Sequence, residues 1–274
     1  SRSMTHAPPV RPSTGPPMLL GTHPLAPKVA THTPDSKNLK NMYTYSAEVP
    51  HTATSESSAI RRSYKAALIG HTAFEGCKTL FELFERAVTL HTDSACLGER
   101  YIDSIGNITP FLFKSYGEVR NMVVNLASGL EKEGLMAPMS DGNRFLGICM
   151  QNCTDWIVSE QACYYLGAAT VPMYETLNAS TMDFVASQCE LQTIVCSPKS
   201  VEAVLAGVGH SRTVRNIIIS DVGERILNEK LNSLRASFKS MTFYRFEDVL
   251  NIGSAYPFPP LPPLPSTLAT PCYT

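Results

Sequence analysis

The side chains best suited to nucleophilic or metal chemistry in this 274-residue chain are eight cysteines and seven histidines, and their spacing supports neither role. Cys77, Cys96, Cys149, Cys153, Cys163, Cys189, Cys196 and Cys272 include no CxxC pair. No short His/Cys cluster has zinc-ligand spacing. Several of the cysteines sit in apolar runs such as GICM (147–150) and TIVCS (193–197). A thiol there behaves as a small hydrophobe, and free thiols point to a reducing, intracellular compartment. Four histidines lie in the first 51 residues, and none is paired with a plausible nucleophile. The usual phosphate grips are missing too. No GxGxxG follows a strand-like run, and neither GxxxxGKS nor GxxxxGKT occurs. Gly207-Val208-Gly209 reads as a helix end. There is no GxSxG elbow, and no carboxylate pair stands out. The residue types therefore describe the frame of an α/β enzyme without its catalytic centre.

That frame is legible from capping and periodicity. Thr79-Leu80-Phe81-Glu82 and Ser115-Tyr116-Gly117-Glu118 are Ser/Thr-x-x-Glu capping boxes. The first predicts a helix to about Leu90, the second a helix ending near Gly134 with Val119, Met122, Val123, Leu126 and Leu130 as its apolar stripe. Between them, 95–101 and 110–113 read as a hairpin joined through SIGN (104–107). From Arg144 the pattern becomes regular. FLGICM (145–150), AATVPMY (168–174), TIVCS (193–197), NIIIS (216–220) and MTFYRF (241–246) read as strands, mostly without alternation, as buried parallel strands should be. Helices are predicted over 155–166 with Asn152 or Thr154 as cap, from a third capping box at Ser180-Thr181-Met182-Asp183 to about Cys189, over 201–208, and over 224–238. Five strands alternating with helices predict a doubly wound, mostly parallel α/β fold, with 145–150, 169–174, 193–197 and 216–220 as parallel neighbours.

The ends differ from the middle. Nine of 20 prolines fall in residues 1–60 and seven in 257–274. Residues 1–70 carry eight Lys/Arg and three Asp/Glu, whereas 71–274 carry 15 and 21. The acid-poor stretch 1–42 lacks hydrophobic periodicity and reads as a disordered tail. An overall net charge of −1 argues against a nucleic-acid partner. No apolar window is long enough for a transmembrane helix.

Read whole, GICMQNCTDWIVSEQACYYLGAATVPMYETL (147–177) resembles a segment of eukaryotic long-chain acyl-CoA synthetases, members of the adenylate-forming superfamily. Gln151-Asn152, Asp155-Trp156, Ala162-Cys163-Tyr164 and Val171-Pro172-Met173-Tyr174-Glu175-Thr176-Leu177 carry the match. Asp155 stands for the family's Glu and Met173 for its Leu. Residues 79–88, 96–100, 115–119, 193–205 and 246–253 follow in the family's order. PPLPPLPSTLATPCYT (259–274) is similar to its linker, with Thr267 replacing an Asp and Pro271 an Ile. The resemblance covers about 43–274. It implies a division into the tail 1–42, the N-terminal α/β part of an adenylating domain over 43–256, and a Pro-rich linker over 257–274.

It also implies a function. The family converts long-chain fatty acids to acyl-CoA thioesters through an acyl-adenylate, using ATP, magnesium and coenzyme A. Cys272-Tyr273-Thr274 aligns with the opening of the family's phosphate-binding loop, so the nucleotide-binding residues implied in this sequence are Thr274 and its neighbour Tyr273. No catalytic or metal-binding residue is implied. The chain is expected to be the N-terminal piece of such a ligase and inactive alone. The expected setting is cytoplasmic, or peripheral at the endoplasmic reticulum or a peroxisome, and peripheral membrane contact stays open. A non-catalytic α/β binding module is the alternative, and a short-chain ligase a third reading that the run VPMYETL disfavours. Each singled-out residue has a plainer reading. Trp156 and Asn152 read as packing and capping, Tyr164 and Tyr165 as one core and one rim residue, and Arg61-Arg62-Ser63-Tyr64-Lys65 as solvated surface.

Overall fold

The computed structural model describes residues 46–48, 51–63, 76–101, 105–139, 141–220 and 226–273. The proposed tail 1–42, Tyr64-Lys65 of the basic run, and Thr274 lie outside the described residues. The chain divides into two compact units, Ser1–Gly70 and His71–Thr274. In the first, β1 (Ser46–Glu48) pairs antiparallel with β2 (Arg61–Ser63). There Arg61 Nη1 meets Glu48 Oε1 at 2.6 Å.

The second unit opens with α1 (Leu80–His91), held by the reciprocal Thr79/Glu82 capping box. β3 (Ala95–Glu99) and β4 (Leu112–Ser115) form the expected antiparallel hairpin. Ser115 and Glu118 then box the start of α2 (Tyr116–Lys132). The helix stops where Gly134 takes φ 64°, a conformation glycine adopts without steric cost.

β5 (Phe145–Cys149), β6 (Ala169–Pro172), β7 (Thr193–Cys196), β8 (Asn216–Ile219) and β9 (Thr242–Arg245) form one sheet in the order β6-β5-β7-β8-β9. Every neighbouring pair is parallel, so the four runs expected side by side lie as predicted. β6 ends at Pro172, which lacks the amide a longer ladder would need. The side-chain alternation of each strand feeds two separate cores. Leu146, Ile148, Val195 and Ile218 pack with α2, α3 (Thr154–Tyr165) and α7 (Phe246–Ala255). Cys149, Ile194, Cys196, Ile217, Ile219 and Phe243 pack with α4 (Ala179–Gln188), α5 (Val201–Val208) and α6 (Asn228–Ser237). Helices on both faces of a parallel sheet make the fold doubly wound, as expected.

Several local expectations need correction. Neither Asn152 nor Thr154 caps α3. Its N-cap is Cys153, which makes no side-chain capping bond, and Asn152 is exposed. The third capping box is displaced, since Asn178 rather than Ser180 caps α4, its Oδ1 accepting from Thr181 N at 2.9 Å. Asparagine has the same short acceptor as serine and sits one residue before the helix, whereas Ser180 is already inside it. α6 begins at Asn228, later than the predicted start at 224. No element is predicted over 247–255, and Phe246 is expected to end a strand, yet α7 forms over Phe246–Ala255. It is stabilised by tertiary packing, because Gly129 of α2 and Gly253 of α7 let the two backbones approach. A Cβ on Gly129 would collide with Val249 O, and one on Gly253 with Asn125 O. Tyr164 and Tyr165 are both buried, at 5% and 4% exposure. Neither is the rim residue expected of the pair. Trp156 is half-buried and packs on the α2/α3/α7 core, in line with the packing reading.

Candidate functional site

In open α/β sheets, ligands bind outside the carboxyl ends of strands where the strand order reverses. Here that point lies between β5 and β7, since β6 and β7 fall on opposite sides of β5. Three strand ends are tied together there. Ser200 Oγ donates to Cys149 O at 2.6 Å. Ser197 Oγ lies 2.8 Å from Ser200 Oγ and donates to Glu175 Oε1 at 3.2 Å. Two main-chain bonds, Ser197 N to Ser200 Oγ and Ser200 N to Ser197 Oγ, close the turn into α5. One strand further on, buried Ser220 donates through Oγ to Oδ2 of buried Asp155 at 2.7 Å, linking the end of β8 to the first turn of α3. A carboxylate in a helix's first turn is favoured by the macrodipole.

The start of α3 is completed from a distance. Glu99, at the end of β3, accepts from Thr154 N at 2.7 Å through Oε1 and from Tyr101 OH at 2.8 Å through Oε2. Lys114 Nζ lies 4.0 Å away. The capping group is thus 55 residues from the amide it satisfies. Local motif reading cannot find it, and it offers the nearer Asn152 and Thr154 instead. Burial, with the Glu99 bond and charge adding to it, pushes the Tyr101 phenol up to about 12. Burial likewise pushes the Cys149 thiol to about 12 and Cys153 to about 11. Thiols so far from ionisation are inert at neutral pH, and all eight cysteines are free.

The proline-rich strap 257–273 carries the sequence-predicted site residue Tyr273. Its attachment runs across the second unit. Phe258 N donates to Ser128 Oγ at 2.9 Å, and Tyr165 OH donates to Phe258 O at 3.0 Å. Leu261 N donates to Tyr165 O at 2.8 Å, and Thr170 N to Ala269 O at 3.0 Å. The last bond uses the outer edge of β6. At the end of the strap, Tyr273 OH lies 3.1 Å from Cys189 Sγ, and its ring meets Phe184 edge-on at 6.4 Å. Burial first, then the Cys189 contact, pushes the Tyr273 phenol up to about 12, so it stays protonated at neutral pH.

Cys189 caps the C-terminus of α4, from which the chain turns into β7. Tyr273 therefore sits by the amino-terminal end of the sheet, away from the Ser197/Ser200 network at the carboxyl end. The structure does not bring the two together. Among the described residues no group of three His, Cys, Asp or Glu side chains could hold a metal ion. No described helix is long and apolar enough to cross a membrane.

The sequence pattern of the family described as AMP-binding enzyme matches residues 101–274. The chain is 28% identical over 204 residues to the long-chain-fatty-acid–CoA ligase 5 of Rattus norvegicus, covering 73% of this chain and 28% of that protein. It is 30% identical over 196 residues to the peroxisomal long chain acyl-CoA synthetase 6 of Arabidopsis thaliana, covering 72% of this chain and 26% of that protein. The chain thus spans little more than a quarter of the length of these curated relatives. Among solved structures, the A domain of carboxylic acid reductase from Segniliparus rugosus, in complex with AMP and a co-purified carboxylic acid, is similar with a TM-score of 0.62 and 21% identity. That match covers 74% of this chain and 35% of the other. At such identity it shows a shared fold.

Proposed function

The chain belongs to the AMP-binding enzyme family, and from that premise we propose that it forms the N-terminal α/β part of a long-chain fatty acid–CoA ligase. The proposed reaction joins a fatty carboxylate to the α-phosphate of ATP, releasing pyrophosphate. The thiol of coenzyme A then displaces AMP. Magnesium enters this reading as the counter-ion of ATP, with no residue of this chain assigned to it. Residues 43–256 would be the α/β part and 257–274 the linker, with Tyr273 and Thr274 at the nucleotide side.

The observation that carries the reading is the identity to proteins named as long-chain ligases, sustained over 73% of the chain. In this reading the chain's own residues have a positioning role. The Glu99, Asp155 and Ser200 bonds hold the strand ends in register. The strap bonds fix the path by which Tyr273 is delivered, and Cys189 takes the Tyr273 hydroxyl, leaving the Tyr273 main chain as the part able to face a nucleotide.

The test is pyrophosphate release by the natural gene product that contains residues 1–274, with ATP, magnesium and carboxylates from acetate to palmitate. Fatty-acid-dependent release that favours long chains is expected. Release with short carboxylates alone would move the protein to the short-chain ligases. Failure to bind or turn over ATP would leave the non-catalytic module.

A further inference from the structure

In the stretch PFPPLPPLP (257–265) every residue is a proline or stands before one. Proline fixes its own φ at about −65° and drives the preceding residue out of the helical region. The stretch is therefore held as polyproline II, with about three residues per turn, and residues 257–264 form no helix or strand. The ties of this stretch to the fold recur with that period. Phe258 donates its amide to Ser128 Oγ and accepts from Tyr165 OH. Leu261 donates to Tyr165 O, and its carbonyl passes over Gly167, where a Cβ would stand 2.8 Å from the Leu261 oxygen. Leu264 donates to Thr267 Oγ1 and accepts from Thr267 N. The other edges of the segment are open. Pro259, Pro262 and Pro265, three apart, are all exposed, as are the side chains of Leu261 at 40% and Leu264 at 68%. No bond from a described residue reaches the carbonyls of Pro259, Pro260, Pro262 or Pro263. Two Leu-Pro pairs, Leu261-Pro262 and Leu264-Pro265, thus face solvent, with the half-buried Pro263 between them.

We propose that the strap is a docking ligand for an SH3-type domain, a partner whose aromatic-lined groove takes a polyproline II segment. Each Leu-Pro pair fills one slot of the groove, and Pro263, turned toward the fold, fills none. The unbonded proline carbonyls accept from side-chain donors of the groove. A register starting at Phe258 is closed, because that residue packs on the α2/α3/α7 core and both its main-chain groups are taken. The fold already holds the segment extended, so docking orders little additional chain. This inference does not rest on the ligase reading.

The test titrates the full chain into an isotope-labelled SH3 domain that takes peptides with two Leu-Pro pairs, and follows the amide shifts of its groove. Saturable shifts confined to the groove are expected, reversed by an excess of the peptide PPLPPLP (259–265). Pro262→Ala and Leu264→Ala should each weaken binding about tenfold, the loss of one filled slot. Pro263→Ala should weaken it less than either. Pro262 and Leu264 are exposed, so the Tm of both variants should stay that of the wild type. If either does not fold, Pro265→Ala replaces it with the same loss. Absence of groove shifts with the wild-type chain would overturn the proposal even where the free peptide binds, because the fold would then close the motif. So would affinity unmoved by both Pro262→Ala and Leu264→Ala, or tighter binding of a WW domain in the same titration.

Discussion

At the carboxyl end of the sheet, serine and carboxylate side chains from different strands bond to one another: Ser197 with Ser200 and Glu175, Ser220 with Asp155. Along the strap, main-chain amides of Phe258, Leu261 and Thr170 make most of the attachment, and Tyr165 and Tyr273 add one hydroxyl each. The first arrangement concentrates the fastening in a few buried groups that share partners. The second spreads it over a segment of 17 residues, 257–273, whose side chains are largely exposed. A shared network fails as a unit when one member is lost, whereas separate bonds fail one by one.

The largest effect should come from Asp155→Ala, which removes a buried carboxylate together with the bond it accepts from Ser220 Oγ. A loss of about 3 kcal/mol is expected in urea unfolding. Ser200→Ala strands the buried Cys149 carbonyl and should cost about 2 kcal/mol. Paired with Ser197→Ala it should show a coupling of about 1 kcal/mol in a double-mutant cycle. On the strap, Leu261→Pro deletes one donor at a 40% exposed position and should cost about 1 kcal/mol. Tyr165→Phe and Tyr273→Phe touch different partners and should add within about 0.5 kcal/mol. Strong coupling between these two, or none between the serines, would erase the contrast between the regions.

The smallest expected effect is alkaline. Tyr101, beside the α3 start, and Tyr273, on the strap, both have folded values raised from 10.0 to about 12. A raised acid keeps its proton in the folded state while the unfolded chain loses it. Its stabilising contribution is therefore full below pH 10 and is lost as pH rises from 10 to about 12. Following tyrosinate absorbance against unfolding in Tyr101→Phe and Tyr273→Phe should show one late-titrating group removed by each. Each substitution should flatten the alkaline loss in unfolding to a similar extent, because both phenols are raised to about 12. A loss unchanged by either substitution would show that the hydroxyl concerned is not held in its protonated form by the fold.

The sequence by itself determined the elements whose cause is local. The Thr79/Glu82 and Ser115/Glu118 boxes sit where the motif says, because both partners lie within one helical turn. The unalternating runs at 145, 193 and 216 declare parallel strands, because a strand covered on both faces must be apolar at every position. The family was legible only through the resemblance that the run 147–177 carries. What tertiary structure alone decided are the features whose partners are distant in sequence. Glu99 caps α3 across 55 residues. α7 exists because Gly253 can approach α2. The Tyr165 hydroxyl finds its acceptor in Phe258 O, 93 positions later. Tyr273, which the resemblance assigns to a nucleotide, spends its hydroxyl on Cys189. Neither residue in such a pair constrains the other until folding has closed the intervening loop, so no window of the chain records the contact.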